Sequence, residues 1–318
     1  MKTFVVAGGA GFIGSHVCEA LLTRGDKVIC IDNLITGAEE NISPFFPNSN
    51  FVFIESDVTG RLPHLEGSID GIFHFASPAS PNAKSPKSYI NHPVETLMVN
   101  SAGTKNLLDL ALEKKARFIF ASSSEVYGDP AISPQTEDYF GNVNPNGIRS
   151  VYDEGKRFGE SISLAYARLH NLDVRVIRIF NTYGPRMQKD DGRVVSNFIN
   201  QALNSEDITI YGDGRQTRSF CYISDLVEGF LLAMDRNGIE GRVMNLGNDD
   251  EYEIKEFADI IHKMTKSSSK IIHEKLPEDD PHQRKPDLTL ARKLLGYEPK
   301  TKLAEGLAKT IEYFKEVK

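Results

Sequence analysis

Cysteine, excess positive charge and long apolar runs are all in short supply in this chain of 318 residues. Cys18, Cys30 and Cys221 are scattered and odd in number, which argues against a disulfide framework and predicts buried free thiols in a reducing, cytoplasmic setting. Lys and Arg total 37 against 44 Asp and Glu, a net charge of −7 with no basic tail, so nucleic acid is not an expected partner. No apolar run reaches the roughly 18 residues of a membrane span, and the N-terminus reads as a strand rather than a signal peptide. A membrane partner is therefore not expected either. His16, His74 and the other histidines show no metal-ligand spacing, and no metal is expected. Internal repeats and low-complexity segments are missing as well.

What is present begins at residue 3. Thr3–Ala7 is an apolar, β-rich run, and Gly8-Gly9-Ala10-Gly11-Phe12-Ile13-Gly14 is a glycine turn. Ile13, Val17 and Leu21 then form a helical stripe, and the next apolar run, Lys27 to Ile31, is closed by Asp32. Glycines let a backbone approach a pyrophosphate, a helix N-terminus supplies partial positive charge, and a carboxylate accepts from ribose hydroxyls. That order predicts a dinucleotide site held by Gly8, Gly11, Gly14 and Asp32. The acid selects NAD over NADP, because a 2′-phosphate would be repelled.

The first half of the chain alternates strands with helical patterns. Strands are predicted at 3–7, 27–31, 50–55, 71–76, 117–122 and 173–180, and helices near 12–24, 93–115 and 150–170. Such alternation implies an α/β fold, a Rossmann-type doubly wound parallel sheet covered on both faces. Residues 77–93 and 128–148 are long, irregular and rich in Pro, Ser and Asn, and both follow strand C-termini, where open sheets hold ligands. Beyond 180 the pattern breaks into short elements. The expected division is an NAD-binding domain at 1–180, with a returning segment near 224–246, and a smaller substrate-binding lobe at 181–318.

Tyr152-Asp153-Glu154-Gly155-Lys156 carries the second signal. On a helix, i and i+4 share a face, so phenol and ammonium reach one site. A neighbouring Lys⁺ is expected to lower the phenol's pKa and make Tyr152 a general base towards a sugar hydroxyl. Ser122-Ser123-Ser124-Glu125 ends a predicted strand, and one of these hydroxyls can bond the same substrate oxygen. By itself each motif is also compatible with an ordinary helix surface or turn.

With the glycine turn, the strand-end serine and the Tyr–Lys pair together, the chain resembles the extended short-chain dehydrogenase/reductase family. Further segments narrow the likeness to the UDP-glucuronate decarboxylases of that family: 76–81, 124–130, 152–157, Arg178-Ile179-Phe180-Asn181-Thr182-Tyr183-Gly184-Pro185-Arg186-Met187, Asp191-Gly192-Arg193-Val194-Val195-Ser196 and Arg284-Lys285-Pro286-Asp287. The likeness spans nearly the whole sequence. It implies NAD-dependent decarboxylation of a UDP-sugar, UDP-glucuronate to UDP-xylose, through a 4-keto intermediate with NAD regenerated in each turnover. It also implies a homodimer built on helices near 93–112 and 150–167.

By the same resemblance Ser123, Tyr152 and Lys156 act at the sugar O4, Glu125 handles a proton near C5, and Arg284 meets the substrate carboxylate or diphosphate. A loop cap remains open for Glu125, and a surface ion pair for Arg284. Asn181, Arg193, Tyr211 and Arg218 are the implied substrate contacts, with Glu125 and Arg284. Implied NAD contacts are Phe12, Ile13, Asn33, Thr36, Gly37, Asp57, Val58, Phe75, Ser77, Ala121 and Thr182, besides Gly8, Gly11, Gly14, Asp32, Tyr152 and Lys156; Phe75 could equally be core. Related dehydratases carry an Asp where this chain has Ser124, and epimerases a small or hydroxylic residue where it has Glu125. Both departures favour decarboxylation over the alternatives, a UDP-sugar 4-epimerase or nucleotide-sugar dehydratase. A vestigial NAD-binding sensor would not need Ser123, Tyr152 and Lys156.

Overall fold

The computed structural model describes residues 1–275 and 283–317. At its centre seven parallel strands form one sheet in the order β11-β6-β5-β4-β1-β2-β3. In chain order the first elements are β1 (Thr3–Ala7), α1 (Phe12–Thr23), β2 (Lys27–Asp32), β3 (Phe51–Glu55), β4 (Gly71–His74), α2 (Pro93–Met98), α3 (Thr104–Lys114), β5 (Arg117–Ser123), α4 (Ser150–His170) and β6 (Val174–Ile179). The strand runs are almost continuously apolar because both faces are covered. Val5, Ala7, Ile72, Phe118, Phe120 and Val176 pack on one side with Leu107, Leu108 and Ala111 of α3. Phe4, Val6, Phe73, Ile119 and Ile177 pack on the other with Val17 and Leu21 of α1.

The chain leaves β1 towards β2 and β3 on one side and returns through β4, β5 and β6 on the other. A crevice opens at that reversal, beyond the strand C-termini. The sequence pattern predicts one helix over 93–115; the structure instead inserts a single π-helical turn, Val99–Gly103, between α2 and α3. That extra residue turns Asn100 inward, where its amide donates to Ser77 Oγ at 2.9 Å and to the Thr96 carbonyl at 2.8 Å.

The remaining elements are β7 (Thr182–Tyr183), α5 (Val194–Leu203), β8 (Ile208–Tyr211), β9 (Thr217–Ser219), β10 (Cys221–Tyr222), α6 (Ile223–Asp235), β11 (Arg242–Leu246), β12 (Glu251–Glu253), α7 (Ile254–Thr265), β13 (Ile271–Glu274), β14 (Gln283–Arg284), α8 (Thr289–Leu295) and α9 (Leu303–Glu316). Leu226, Phe230 and Met234 of α6 pack on the α1 face of the sheet, and β11 pairs with β6 at its edge. The other short strands make three small sheets above the crevice-forming strands. One of them places Arg284 of β14 in register with Arg218 of β9. No helix among the described residues is long and apolar enough to cross a membrane.

Candidate active site

The crevice holds two adjoining cavities of about 230 and 160 Å³ that share Gly8, Gly11, Thr36, Phe75 and Ser77 in their walls. The first is built from the ends of β1 and β2. Gly8 has φ +79°, and a Cβ there would lie 2.5 Å from the Ala76 nitrogen, so only glycine lets the turn pass this strand end. A Cβ on Gly14 would overlap the Gly8 carbonyl, which is how α1 starts so close to the turn. Asp32 is buried, and its carboxyl accepts from the Ala10 and Leu34 amides, each at 2.9 Å. Burial pushes its pKa upward against those bonds. A carboxylate has about four acceptor positions, so two remain for hydroxyl donors. Asn33, Gly37, Asp57 and Val58 complete this wall, with Asn33 Nδ2 donating to Asp57 Oδ2 at 3.1 Å. Glycine turn, helix N-terminus and half-satisfied acid fit the pyrophosphate and ribose of NAD.

The second cavity gathers Phe12, Ile13, Gly14, Ala121, Ser123, Glu125, Tyr152, Lys156, Asn181, Thr182 and Arg193. Tyr152 is buried and stacks on Tyr89, with ring centroids 5.1 Å apart and planes 13° from parallel. Burial pushes its phenol up to about 12; Arg193 and a hydrogen bond with Ser123 oppose the rise. Lys156 Nζ donates to the Ala121 carbonyl at 2.9 Å, and desolvation lowers its pKa to about 7. The expectation of a lowered Tyr152 pKa is therefore corrected: burial outweighs the neighbouring charges. Lys156 Nζ lies 5.6 Å from the Tyr152 ring centroid but is itself desolvated and bonded to a carbonyl, and Arg193 adds a second favourable charge.

Glu125 is held from two sides. Arg284 grips its carboxylate bidentately, Nη1 to Oε1 at 2.5 Å and Nη2 to Oε2 at 3.0 Å, and Arg149 Nη2 adds a third bond at 2.7 Å. Against the desolvation of a mostly buried site, these two guanidiniums hold the carboxyl well below the usual range. Glu125 is not the loop cap; the capping oxygen there is Ser123 Oγ, which accepts from the Glu125 amide. Arg284 is buried, not a surface ion pair. Asp153, beside them, is pushed up to about 8, first by burial and then by the Glu125 charge, and its Oδ1 is buried without a hydrogen-bond partner.

Three expected contacts lie off these cavity walls. Arg284 reaches the site through Glu125. Arg218 is buried on β9 and donates to the Thr217 carbonyl, while Tyr211 sits half-exposed at the end of β8. Arg149, Asp153 and Tyr89 were not legible as site residues. Arg149 precedes Tyr152 by three positions, a same-face spacing that could have marked it. Tyr89 is distant in sequence and carried no signal.

The model of the NAD dependent epimerase/dehydratase family matches residues 4–247. The chain is 50% identical over 312 residues to UDP-glucuronic acid decarboxylase 4 of Arabidopsis thaliana, covering 98% of this chain and 68% of that one. It is 47% identical to UDP-glucuronic acid decarboxylase 1 of Xenopus tropicalis, covering 99% and 72%. Among solved structures, UDP-glucuronic acid 4-epimerase of Bacillus cereus, in complex with UDP-glucuronic acid and NAD, superposes with a TM-score of 0.86 at 29% identity over the full length of both chains.

Proposed function

The chain belongs to the NAD dependent epimerase/dehydratase family, and from that premise we propose that it converts UDP-glucuronate to UDP-xylose and CO₂ with NAD as a recycled cofactor. The observation that carries the reading is one cavity in which the Ser123–Tyr152 pair lies beside a carboxylate clamped by two arginines. Arg149, Arg284 and ionised Glu125 sum to one positive charge, which suits an acid-bearing sugar. When bound, NAD⁺ accepts a hydride from the sugar C4 and returns it later in the same turnover.

Tyr152 takes the O4 proton, with Ser123 holding that oxygen and Arg193 favouring the tyrosinate. A ketone at C4 lies β to the C5 carboxylate, so CO₂ departs and leaves an enolate to be protonated at C5. The proton that replaces CO₂ at C5 is taken up from water, one per turnover, with Glu125 and its two arginines as the polar groups placed to handle it. Ser124 offers no carboxylic acid for expelling a hydroxyl, which disfavours dehydration. In this reading residues 1–180 with the returning 224–246 segment hold the cofactor and the rest of 181–318 holds the UDP-sugar.

A cytoplasmic location accords with three buried free cysteines. A homodimer through α2 and α4 accords with Phe158, 49% exposed, and Leu97 on those helices, whereas Val94 and Met98 line the cavity beside Asp32. Phe158→Asp should then convert the particle from dimer to monomer by light scattering.

The deciding experiment is a proton NMR time course with UDP-glucuronate, with and without added NAD⁺. A UDP-pentose lacking the C6 carboxylate, with no accumulating NADH, is the expected product. A UDP-hexuronate inverted at C4 would make the protein an epimerase, and an unchanged spectrum would sink both readings.

A further inference from the structure

Lys87 stands on a strap that, with Ala79 and Ser80, lines the cavity holding Tyr152. The strap is bonded to the segment before α5 at three points: Ser80 Oγ donates to the Asp191 carbonyl at 2.6 Å, Asn82 Nδ2 to the Asp190 carbonyl at 2.9 Å, and Ser85 Oγ to Asp190 Oδ2 at 2.5 Å. Beyond Lys87, Asn91 Nδ2 donates to the carbonyls of Ala83 and Ser85, and His92 Nε2 meets the Pro86 carbonyl at 2.7 Å. Lys87 is therefore pinned on both sides. It is half-buried and lines the same cavity as Ser123, Glu125, Tyr152 and Arg193.

The charges on that wall are Lys87, Glu125, Lys156, Asp191 and Arg193. Four of them are engaged. Glu125 is held by Arg149 and Arg284, and Lys156 by the Ala121 carbonyl. Arg193 bonds Asp191 Oδ2 at 2.8 Å and the Ala79 carbonyl at 2.6 Å. With Arg149 and Arg284 behind Glu125 the engaged groups already lean positive. The Lys87 ammonium has no hydrogen-bond or ion-pair partner among the described residues, so it is the one charge on this wall left for a ligand. A solvated surface lysine needs no such strap; a cation held on the wall of such a cavity answers to a ligand of opposite charge.

We propose that Lys87 binds an anionic oxygen of the substrate, on its diphosphate or its carboxylate, and so helps select acidic nucleotide sugars. This rests on the reading of the site as one for UDP-glucuronate. The test is calorimetric titration with UDP and with UDP-glucuronate in a Tyr152→Phe background, where turnover is slowed about 10³-fold, comparing Lys87 with Lys87→Met and Lys87→Arg. Losing one charge-assisted bond should weaken UDP-glucuronate about tenfold. Equal weakening of UDP identifies the diphosphate as the anion; unchanged UDP binding identifies the carboxylate. Lys87→Arg should recover most of the affinity, and NAD binding should not move. With Tyr152 restored, Lys87→Met should raise KM and leave kcat alone. Undiminished binding of both ligands by Lys87→Met, or a loss confined to NAD, overturns the inference. If the parent binds neither ligand, the UDP-glucuronate reading itself falls and takes the inference with it.

Discussion

The two halves of the crevice are made in different ways. Around Asp32 the wall is mostly backbone: glycine turns, amides bonded to one acid, and a helix start, all from the first hundred residues. Around Tyr152 it is side-chain charge, drawn from segments as far apart as Glu125 and Arg284, 159 positions distant. A backbone cradle recognises a cofactor common to many enzymes. A charge cluster is cheaper to change and decides which sugar reacts, so mutations in the two halves should fail differently.

The largest effect should come from Tyr152→Phe, which removes the base without disturbing the Tyr89 stack. General acid–base catalysis contributes about 10²–10⁴-fold, so kcat should fall by about 10³ while melting temperature and NAD binding stay near the parent values. Near-normal turnover would move the chemistry to another residue. On the cofactor side, Gly8→Ala forces a side chain into φ +79° against the Ala76 backbone. Strain and overlap of that kind cost about 2–4 kcal/mol, so thermal unfolding should come earlier and NAD binding should weaken. A variant that binds NAD normally would show that the turn is looser than its geometry implies.

Arg284→Ala should raise KM for UDP-glucuronate about 10–100-fold, because Glu125 keeps only one of its guanidiniums and the site loses a positive charge. Its pH behaviour sharpens the point. Glu125 has a native pKa below its unfolded value, so its contribution to stability is present above the ordinary carboxylate range and lost as pH falls through the native value. Without Arg284 the native pKa rises, and acid unfolding should begin at a higher pH than in the parent.

Asp153→Asn should give the smallest effect, with the opposite sign. Asp153 is raised to about 8 from an ordinary value near 4, so keeping it in the fold costs stability increasingly as pH climbs across that window. The variant should match the parent at pH 4 and melt several degrees higher at pH 8. Identical melting curves throughout would mean that Asp153 is solvated.

The predicted strands at 3–7, 27–31 and 117–122 lie within one residue of the observed ones, because strands buried on both faces are written as unbroken apolar runs. The helix predicted at 93–115 was less legible: a π turn leaves the apolar spacing almost untouched while redirecting Asn100. Ser123, Tyr152 and Lys156 were legible because strand end and helix face are local features. Their electrostatics were not. The Tyr152–Lys156 spacing does bring the ammonium to 5.6 Å from the Tyr152 ring centroid, yet burial still raises the phenol and the Ala121 carbonyl takes the lysine's hydrogen bond.

By itself, then, the sequence determined what short-range rules encode: an open parallel sheet, a dinucleotide turn ending in Asp32, and a Tyr–Lys helix face. Only the tertiary structure decided which charges meet. Arg149 and Arg284 close on Glu125, Arg193 approaches Tyr152, and the Lys87 strap is tied beside the cavity because separate elements pack there. A charge's effect depends on burial and on partners several ångströms away in space, neither of which residue spacing along the chain contains.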